Sequence, residues 1–447
     1  MSNLTDDIKI SKYFKMVDTQ KGTVDRKIFT DEQIYTEELK QIFKRCWLYL
    51  AHESQIPNKG DYLSVLMGTT PIIVCRGGDD KIYAHINSCR HRGNTICRAD
   101  RGNTKSFTCP YHAWVFGLTG KLIGLPGEKK LYASKLDKSQ WGLISVAQLS
   151  TYKGLIFATF DDKAPSLENY LGDMRWGLDI LLDQGELIAV PGTMRWVMNT
   201  NWKFPSDNGG GDIYHHFSTH RSAYLAGHLD GDGMTDGSKQ LKFSDISSIK
   251  GFTMLTEYGH GYNADYVDDR MDNNTSLSEW RKDSKIQSKL GKLRSNIHRA
   301  NQNVFPNLFV STGARELIIR NPIGPTKTEF RKTLLIDKNA DPETQRVQVR
   351  NSNRHFGPAG LAEQDDGENW EQCTIGTSDM IAMNHPLHYG MGVGDGKFVC
   401  DGTSPPRIES LINEHYQLWM YRVWAEFMDS LDWDHLKKTH SQPEGIV

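Results

Sequence analysis

Long apolar stretches are missing from this chain: no run of about 18 apolar residues, the length a membrane-spanning helix needs, occurs anywhere in its 447 residues. A bilayer-spanning helix is excluded. The opening MSNLTDDIKISKYFKMVDTQ also lacks the basic start and continuous apolar segment of a secretion signal, so a cytoplasmic location is expected. An excess of one charge sign is absent too, since 53 Lys and Arg face 55 Asp and Glu for a net charge of −2. No overall field favours nucleic acid or an anionic membrane, and a small, weakly charged substrate or a protein partner fits better. Repeats, heptad arrays and low-complexity tracts are lacking, which excludes solenoids and coiled coils. Cysteine is scarce and odd in number at seven. The apolar fraction of 38% is ordinary for a globular chain, and the length allows about two to four domains.

Two of the seven cysteines carry the strongest signal. Cys89, His91, Cys109 and His112 form C-x-H-x17-C-x2-H within CRHRGNTICRADRGNTKSFTCPYH. Two soft thiolates and two imidazoles arriving as paired loops can hold a [2Fe–2S] centre, the cysteines on one iron and the histidines on the other. That is the ligand pattern of a Rieske cluster. A structural zinc site uses the same residue types but pairs like with like, C-x2-C then H-x3-H, whereas each pair here mixes one of each. Cys46, Cys75, Cys97, Cys373 and Cys400 are scattered singly and read as buried free thiols rather than disulfides.

The texture of the chain changes along its length. Residues 1–39 are polar and read as an N-terminal arm, with a short helix predicted in DEQIYTEELKQIFKRCW on the spacing of Ile34, Leu39, Ile42 and Phe43. From about residue 60 come short apolar runs punctuated by glycine, among them DYLSVLMG, PIIVCRGGDD and GLIFATFDD, which read as β-hairpins. Residues 40–162 are therefore expected to form a small antiparallel β domain that presents the Cys/His loops. Residues 163–447 mix helix (SLENYLGDMRWGLDILLD) with strands (MRWVMNTNWKF, GFTMLTEYGHGY, NLFVSTG, ELIIRNP, FRKTLLID). The fold class expected is α+β, with a larger catalytic domain built on an antiparallel sheet flanked by helices. The polar segment 227–248 reads as a mobile loop, and the C-terminal stripe of Leu411, Tyr416, Trp419, Val423, Trp424 and Phe427 as helical core packing.

A second cluster lies in NWKFPSDNGGGDIYHHFSTHRSAY, where Asp207, Asp212, His215, His216 and His220 fall within fourteen residues. Histidines five apart are separated by about 140° on an ideal helix, so one metal reaches both His215 and His220 only if the helix is interrupted. Gly209, Gly210 and Gly211 permit such an irregularity and leave open space. A non-haem iron commonly takes two histidines and one carboxylate on one face, with the remaining positions open for dioxygen. For the carboxylate, FGPAGLAEQDDGENWEQ offers Glu363, Asp365, Asp366 and Glu368, a cluster that also suits a solvated helix start.

Through RCWLYLAHESQIP, INSCRHRG, TCPYHAW, NWKF, VFPN and FGPAGLAEQDDGENW the chain resembles the large (α) subunit of Rieske-type aromatic ring-hydroxylating dioxygenases, the naphthalene, biphenyl and phenylpropionate group. The resemblance runs nearly end to end. It implies that Cys89, His91, Cys109 and His112 hold the [2Fe–2S] cluster, and that His215, His220 and Asp366 hold a mononuclear Fe(II). It implies further that Asp212 bridges a cluster histidine of one subunit to an iron-ligating histidine of the next, a task a carboxylate suits because it accepts from both imidazoles. Asn208 matches a position near the iron. Ile213, Asn301 and Phe356 match pocket positions, and Gly209 and His216 are added to the lining. Ala362 stands where naphthalene-type enzymes carry tryptophan, and with the glycines it suggests a roomy pocket for a polycyclic ring. Arg299 is expected at the surface.

The activity implied is that of a terminal oxygenase: electrons from NAD(P)H arrive through a reductase and ferredoxin, and both atoms of O2 enter an aromatic ring as a cis-dihydrodiol. An α3 or α3β3 assembly with a small β subunit follows from the inter-subunit bridge. A monooxygenase of an aromatic acid uses the same scaffold. An electron-transfer protein of the respiratory Rieske type would carry a further cysteine beside each ligand pair, where this chain has Asn94 and Tyr111.

Overall fold

The computed structural model describes residues 12–133, 135–226, 247–267 and 278–443. These divide into two compact units, one of residues 43–167 and one that combines the chain up to residue 42 with residues 168 onward. The segment 227–248, expected to be a mobile loop, lies almost entirely outside the described residues.

The smaller unit is built of three antiparallel sheets. Four strands run in the order Ile82–Ile86, Thr70–Arg76, Asp61–Met67, Arg101–Asn103, and three more join Leu122–Gly124, Val115–Gly117 and Ser106–Thr108. Gln148–Tyr152, Leu155–Thr159 and Leu48–His52 form the last. Thr70–Arg76 alternates poorly because Ile72, Ile73, Val74 and Cys75 are all buried, as in a strand covered on both faces. The Cys89 loop follows Ile82–Ile86, and the Cys109 loop joins Ser106–Thr108 to Val115–Gly117. Both loops rest on one apolar cluster that contains Ile73, Phe107, Trp114 and Phe116.

The larger unit carries a ten-stranded antiparallel sheet. Its path runs from Leu187–Ala189 through Lys327–Asp337, Glu316–Gly324, Leu308–Ser311, Ile297–Val304, Gly261–Tyr266, Gly251–Leu255 and Arg407–Ile408 to Phe398–Val399. Met194–Met198 pairs the other half of Lys327–Asp337. MRWVMNTNWKF is thus strand only as far as Met198, because NWKF turns into the helix Lys203–Gly211. The C-terminal helix His415–Asp429 buries Trp419, Trp424 and Phe427 completely, and burial of each such side chain contributes roughly 1.5–3 kcal/mol.

Residues 12–42 pack within this larger unit. Asp31 caps the helix Glu32–Glu38 by accepting from the amides of Gln33 and Ile34. At the other end, buried Glu38 accepts from Lys203 Nζ at 2.6 Å, Trp202 Nε1 at 2.8 Å and Trp424 Nε1 at 2.8 Å. One carboxylate therefore pins three elements together, including the start of Lys203–Gly211. Removing either member of so buried a pair is expected to be costly, because the remaining charge loses its compensation.

Candidate active site

The two Cys/His loops of the smaller unit repeat one backbone pattern. Cys89 N–H donates to Asn94 O (2.9 Å) and Gly93 N–H to Cys89 O (2.8 Å); Cys109 N–H donates to Trp114 O (2.8 Å) and Ala113 N–H to Cys109 O (2.9 Å). The fourth residue after each cysteine takes a left-handed φ, 72° at Gly93 and 55° at Ala113. Such a turn exposes successive N–H groups to the sulfur. The amides of His91 and Arg92 point at Cys89 Sγ, and those of Tyr111 and His112 at Cys109 Sγ. The two thiols lie within hydrogen-bonding reach of each other. His91 and His112 meet edge to face with ring centroids 4.5 Å apart, and His91 stacks on Trp114 at 5.1 Å. His91 Nδ1 is buried with no hydrogen-bond partner. Two sulfurs ringed by amides and two nitrogens, one of them orphaned, fit a [2Fe–2S] cluster.

In the larger unit the helix Lys203–Gly211 ends at Asp212, whose φ of −93° and ψ of 106° break the helical path. This break precedes both histidines, and the three glycines lie inside the helix and not in the break, so the irregularity that a shared metal requires comes later in the chain. A short helix His216–Thr219 follows, and a second irregularity at His220 (φ −92°, ψ 12°) turns that ring back. His215 Nε2 and His220 Nε2 come within 3.1 Å, and Asp366 Oδ1 lies 3.3 Å from the first and 3.4 Å from the second. Three cis positions around an octahedral ion with bonds of about 2.1 Å are about 3 Å apart, so these atoms fit one metal. Asp366 Oδ1 is buried and has no donor among the described residues. His215, His216 and His220 also offer a ligand group, but those atoms spread to 4.8 Å, and His216 Nδ1 faces Tyr224 Oη at 3.4 Å. The tighter trio with Asp366 is the better metal site.

The surrounding groups orient these ligands. Asp212 Oδ2 lies 3.2 Å from His215 Nδ1, and Asp212 Oδ1 accepts from the His215 amide at 3.1 Å. Asn208 Nδ2 is 3.2 Å from the same Nδ1. Burial alone pulls the His215 imidazolium down, but Asp212 and Asp366 outweigh it and carry the pKa up to about 10. Burial pushes the Asp366 carboxyl up, yet His220 and His215 hold it below the usual range. Asp365, one of the open candidates of the acidic cluster, sits behind His220 instead, with Oδ2 3.3 Å from Nδ1. Both histidines thus have a carboxylate on the outer nitrogen, which leaves each Nε2 free to face the metal position.

A cavity of about 370 Å³ opens beside this trio. Gly209, His216, Asn301, Phe356 and Ala362 line it. Ile213 does not: its side chain packs away, in a separate apolar cluster with Ala223, Tyr224, Ile249 and Leu411. Gly210 and Gly211 do not enlarge the cavity either. A Cβ at Gly210 would stand 2.3 Å from Tyr416 Cε1, and one at Gly211 3.0 Å from Tyr416 Cβ, so a tyrosine of the C-terminal helix already occupies that space. Arg299 faces inward, lining the cavity and pairing with Asp265 at 3.2 Å, where a surface position was expected. Arg320, which sequence reasoning passed over, also lines it; a lone arginine within ELIIRNPIG was the only signal.

Residues 46–149 match the Rieske [2Fe–2S] domain, and residues 167–429 match the catalytic domain of the ring-hydroxylating alpha subunit. The chain belongs to the ring-hydroxylating alpha-subunit family. Like its relatives, this ring-hydroxylating subunit carries a Rieske cluster and a mononuclear iron. It is 33% identical to the biphenyl dioxygenase alpha subunit of Paraburkholderia xenovorans, over 94% of each chain. It is 34% identical to the benzene 1,2-dioxygenase alpha subunit of Pseudomonas putida, over 96% of each. Among solved structures, naphthalene 1,2-dioxygenase with indole bound in its active site superposes with a TM-score of 0.86 at 29% identity, covering 96% of this ring-hydroxylating subunit and 97% of that chain. Among the described residues, no helix is long and apolar enough to cross a membrane.

Proposed function

We propose that this subunit is the terminal oxygenase of a three-component system that converts an aromatic ring, O2 and NAD(P)H with a proton into a cis-dihydrodiol and NAD(P)+. The observation that carries this reading is the trio of His215 Nε2, His220 Nε2 and Asp366 Oδ1, spaced 3.1–3.4 Å apart at the edge of a cavity. Those residues hold the mononuclear iron, while Cys89, His91, Cys109 and His112 hold the cluster. When bound, the iron supplies the site of dioxygen reduction and the cluster supplies electrons one at a time.

The chain's own groups do the positioning. Asp212 and Asp365 accept from the outer N–H of His215 and His220 and fix both rings. Asn208 donates toward Asp212 Oδ2 at 3.4 Å and holds that carboxylate in line. The Asp212 side chain is also 30% exposed, so an imidazole from another subunit can reach it. The electron path runs from His112 of one subunit through Asp212 to His215 of the next, and the assembly is an α3 or α3β3 ring with a small β subunit, fed by a ferredoxin and reductase in the cytoplasm. The division at residues 40 and 163 serves this design, and the family matches at 46–149 and 167–429 and the compact unit 43–167 support it.

Iron counting tests the assignment. The reconstituted chain should hold three irons, and Asp366→Ala should hold two, with an unchanged Rieske spectrum and no product. Retention of all three irons by Asp366→Ala would remove that residue from the ligand set.

A further inference from the structure

The cavity beside the metal trio is lined by four arginines, Arg281, Arg299, Arg320 and Arg354. Of the carboxylates on the same wall among the described residues, Asp212 and Asp366 belong to the metal site, which leaves Glu363, while Asp265 behind the wall pairs with Arg299. So cationic a lining is poorly matched to a neutral hydrocarbon. Such a ligand would strip water from the guanidinium groups and return only a cation–π contact, with no acceptor for their N–H groups.

Arg320 stands out among the four. It is 2% exposed and lies on the strand Glu316–Gly324, with its guanidinium 4.8 Å over the Phe309 ring. Among the described residues its one hydrogen bond is a long contact of 3.5 Å from Nη1 to Asn303 Oδ1, and its buried Nε has no partner there. No carboxylate of the described residues stands within ion-pair distance of it. Glu363 is the strongest acidic influence upon it, yet burial pushes the Glu363 carboxyl itself up to about 8. The backbone makes room for the guanidinium, because a Cβ at Gly209 would stand 2.4 Å from Arg320 Nη2 and 3.0 Å from Phe309 Cδ2. Gly209 follows Asn208, whose amide touches His215, so the glycine that cradles this guanidinium is next in sequence to a group that contacts a metal-site histidine. A guanidinium held flat, desolvated and short of acceptors is built to receive a carboxylate through two parallel N–H bonds.

We propose that the cavity takes an aromatic acid rather than a neutral arene, and that Arg320 is the specificity-determining residue that receives its carboxylate. Gly209 is the cradle for that guanidinium, and the ring extends into the rest of the cavity. The proposal rests on the oxygenase reading above and names the substrate class for that same site.

The test is equilibrium binding to the iron-loaded, oxygen-free enzyme, with 2-naphthoate and its neutral isostere 2-methylnaphthalene as probes. The wild type should prefer the acid, and Arg320→Gln should weaken the acid by about 10-fold to 100-fold, the worth of charge-assisted bonds, while methylnaphthalene changes little. Arg320→Lys should fall between the two. Equal binding of both probes by the wild type overturns the proposal, as does a loss in Arg320→Gln that is the same for acid and hydrocarbon. Should Arg320→Gln fail to fold, the wild-type preference and Arg320→Lys decide. An acid that binds without oxygen-dependent diol formation counts against the oxygenase reading alone. A hydrocarbon oxidised to a diol by an enzyme that ignores the acid counts against this proposal alone.

Discussion

His215 and His220 stand five positions apart, and the structure solves the problem that interval poses at His220, whose φ of −92° and ψ of 12° end the short helix His216–Thr219. The ligand types were legible because iron chemistry demands them, and the need for a broken helix followed from the 3.6-residue repeat. The choice among the acidic residues of 363–368 was not legible from spacing. Asp365 and Asp366 are neighbours on one helix, and which of them faces the metal depends on how that helix packs. The carboxylates behind His215 and His220, Asp212 and Asp365, make different predictions. Asp212→Asn should keep both metal centres loaded while turnover nearly vanishes, checked by iron content, the Rieske spectrum and product yield together; loss of the mononuclear iron would mean that Asp212 acts as a ligand. Asp365→Asn should weaken iron binding by about 10-fold to 100-fold, because it removes the acceptor behind His220, and a chelator competition titration reads that directly. Arg320 shows the limit of residue-level reading, since nothing in ELIIRNPIG distinguishes a core-facing arginine from a surface one.

Elements were legible where their pattern is strong. The hairpins of the smaller unit and the strands Glu316–Gly324 and Lys327–Asp337 follow from β-rich runs, whereas Ile297–Val304 was missed because IHRANQNV is polar and lacks alternation. It is a strand because it pairs on both sides, with Gly261–Tyr266 and Leu308–Ser311, and its buried amides bond within the unit. The helix Lys203–Gly211 ran against local propensity because of the three glycines at its end, whereas Pro205 falls in the first turn, where its missing N–H costs no helical bond. Packing explains the glycines. An alanine at a helical glycine ordinarily stabilises by about 0.5–1 kcal/mol. Gly210→Ala should instead destabilise by about 1–3 kcal/mol, because its Cβ would drive into the Tyr416 ring. Thermal unfolding of the full chain measures this, and a stabilised variant would show that Tyr416 moves aside freely.

At the scale of the whole molecule, buried neutral histidines set a floor on the pH at which the fold is stable. Burial holds His260 down to about 3 and His52 to about 4. His260 Nδ1 accepts from the Phe305 amide and Nε2 faces Tyr170 O, a pairing that only the neutral ring satisfies. In the unfolded chain both would protonate near 6.5, so the unfolded state binds more protons below that pH and stability falls as pH drops. Between pH 7 and pH 5 each should cost roughly 2 kcal/mol, seen as a falling Tm. His260→Gln should lessen that slope even though the variant is less stable overall. The two-unit division and the α+β class were readable from texture, and the family match extends them across the chain. The packing of residues 12–42 into the larger unit through Glu38 was not readable, because a buried acid looks like any helix-surface glutamate until its partners Lys203, Trp202 and Trp424 are in place.

The reaction itself is the central claim, and the oxygen label in the product tests it most directly. With the reconstituted electron-transfer partners, an aromatic acid and 18O2, the account predicts a cis-dihydrodiol in which both hydroxyl oxygens carry the label from a single O2 molecule. A product with one labelled oxygen and one from water, or a monohydroxylated ring as the sole product, would contradict it.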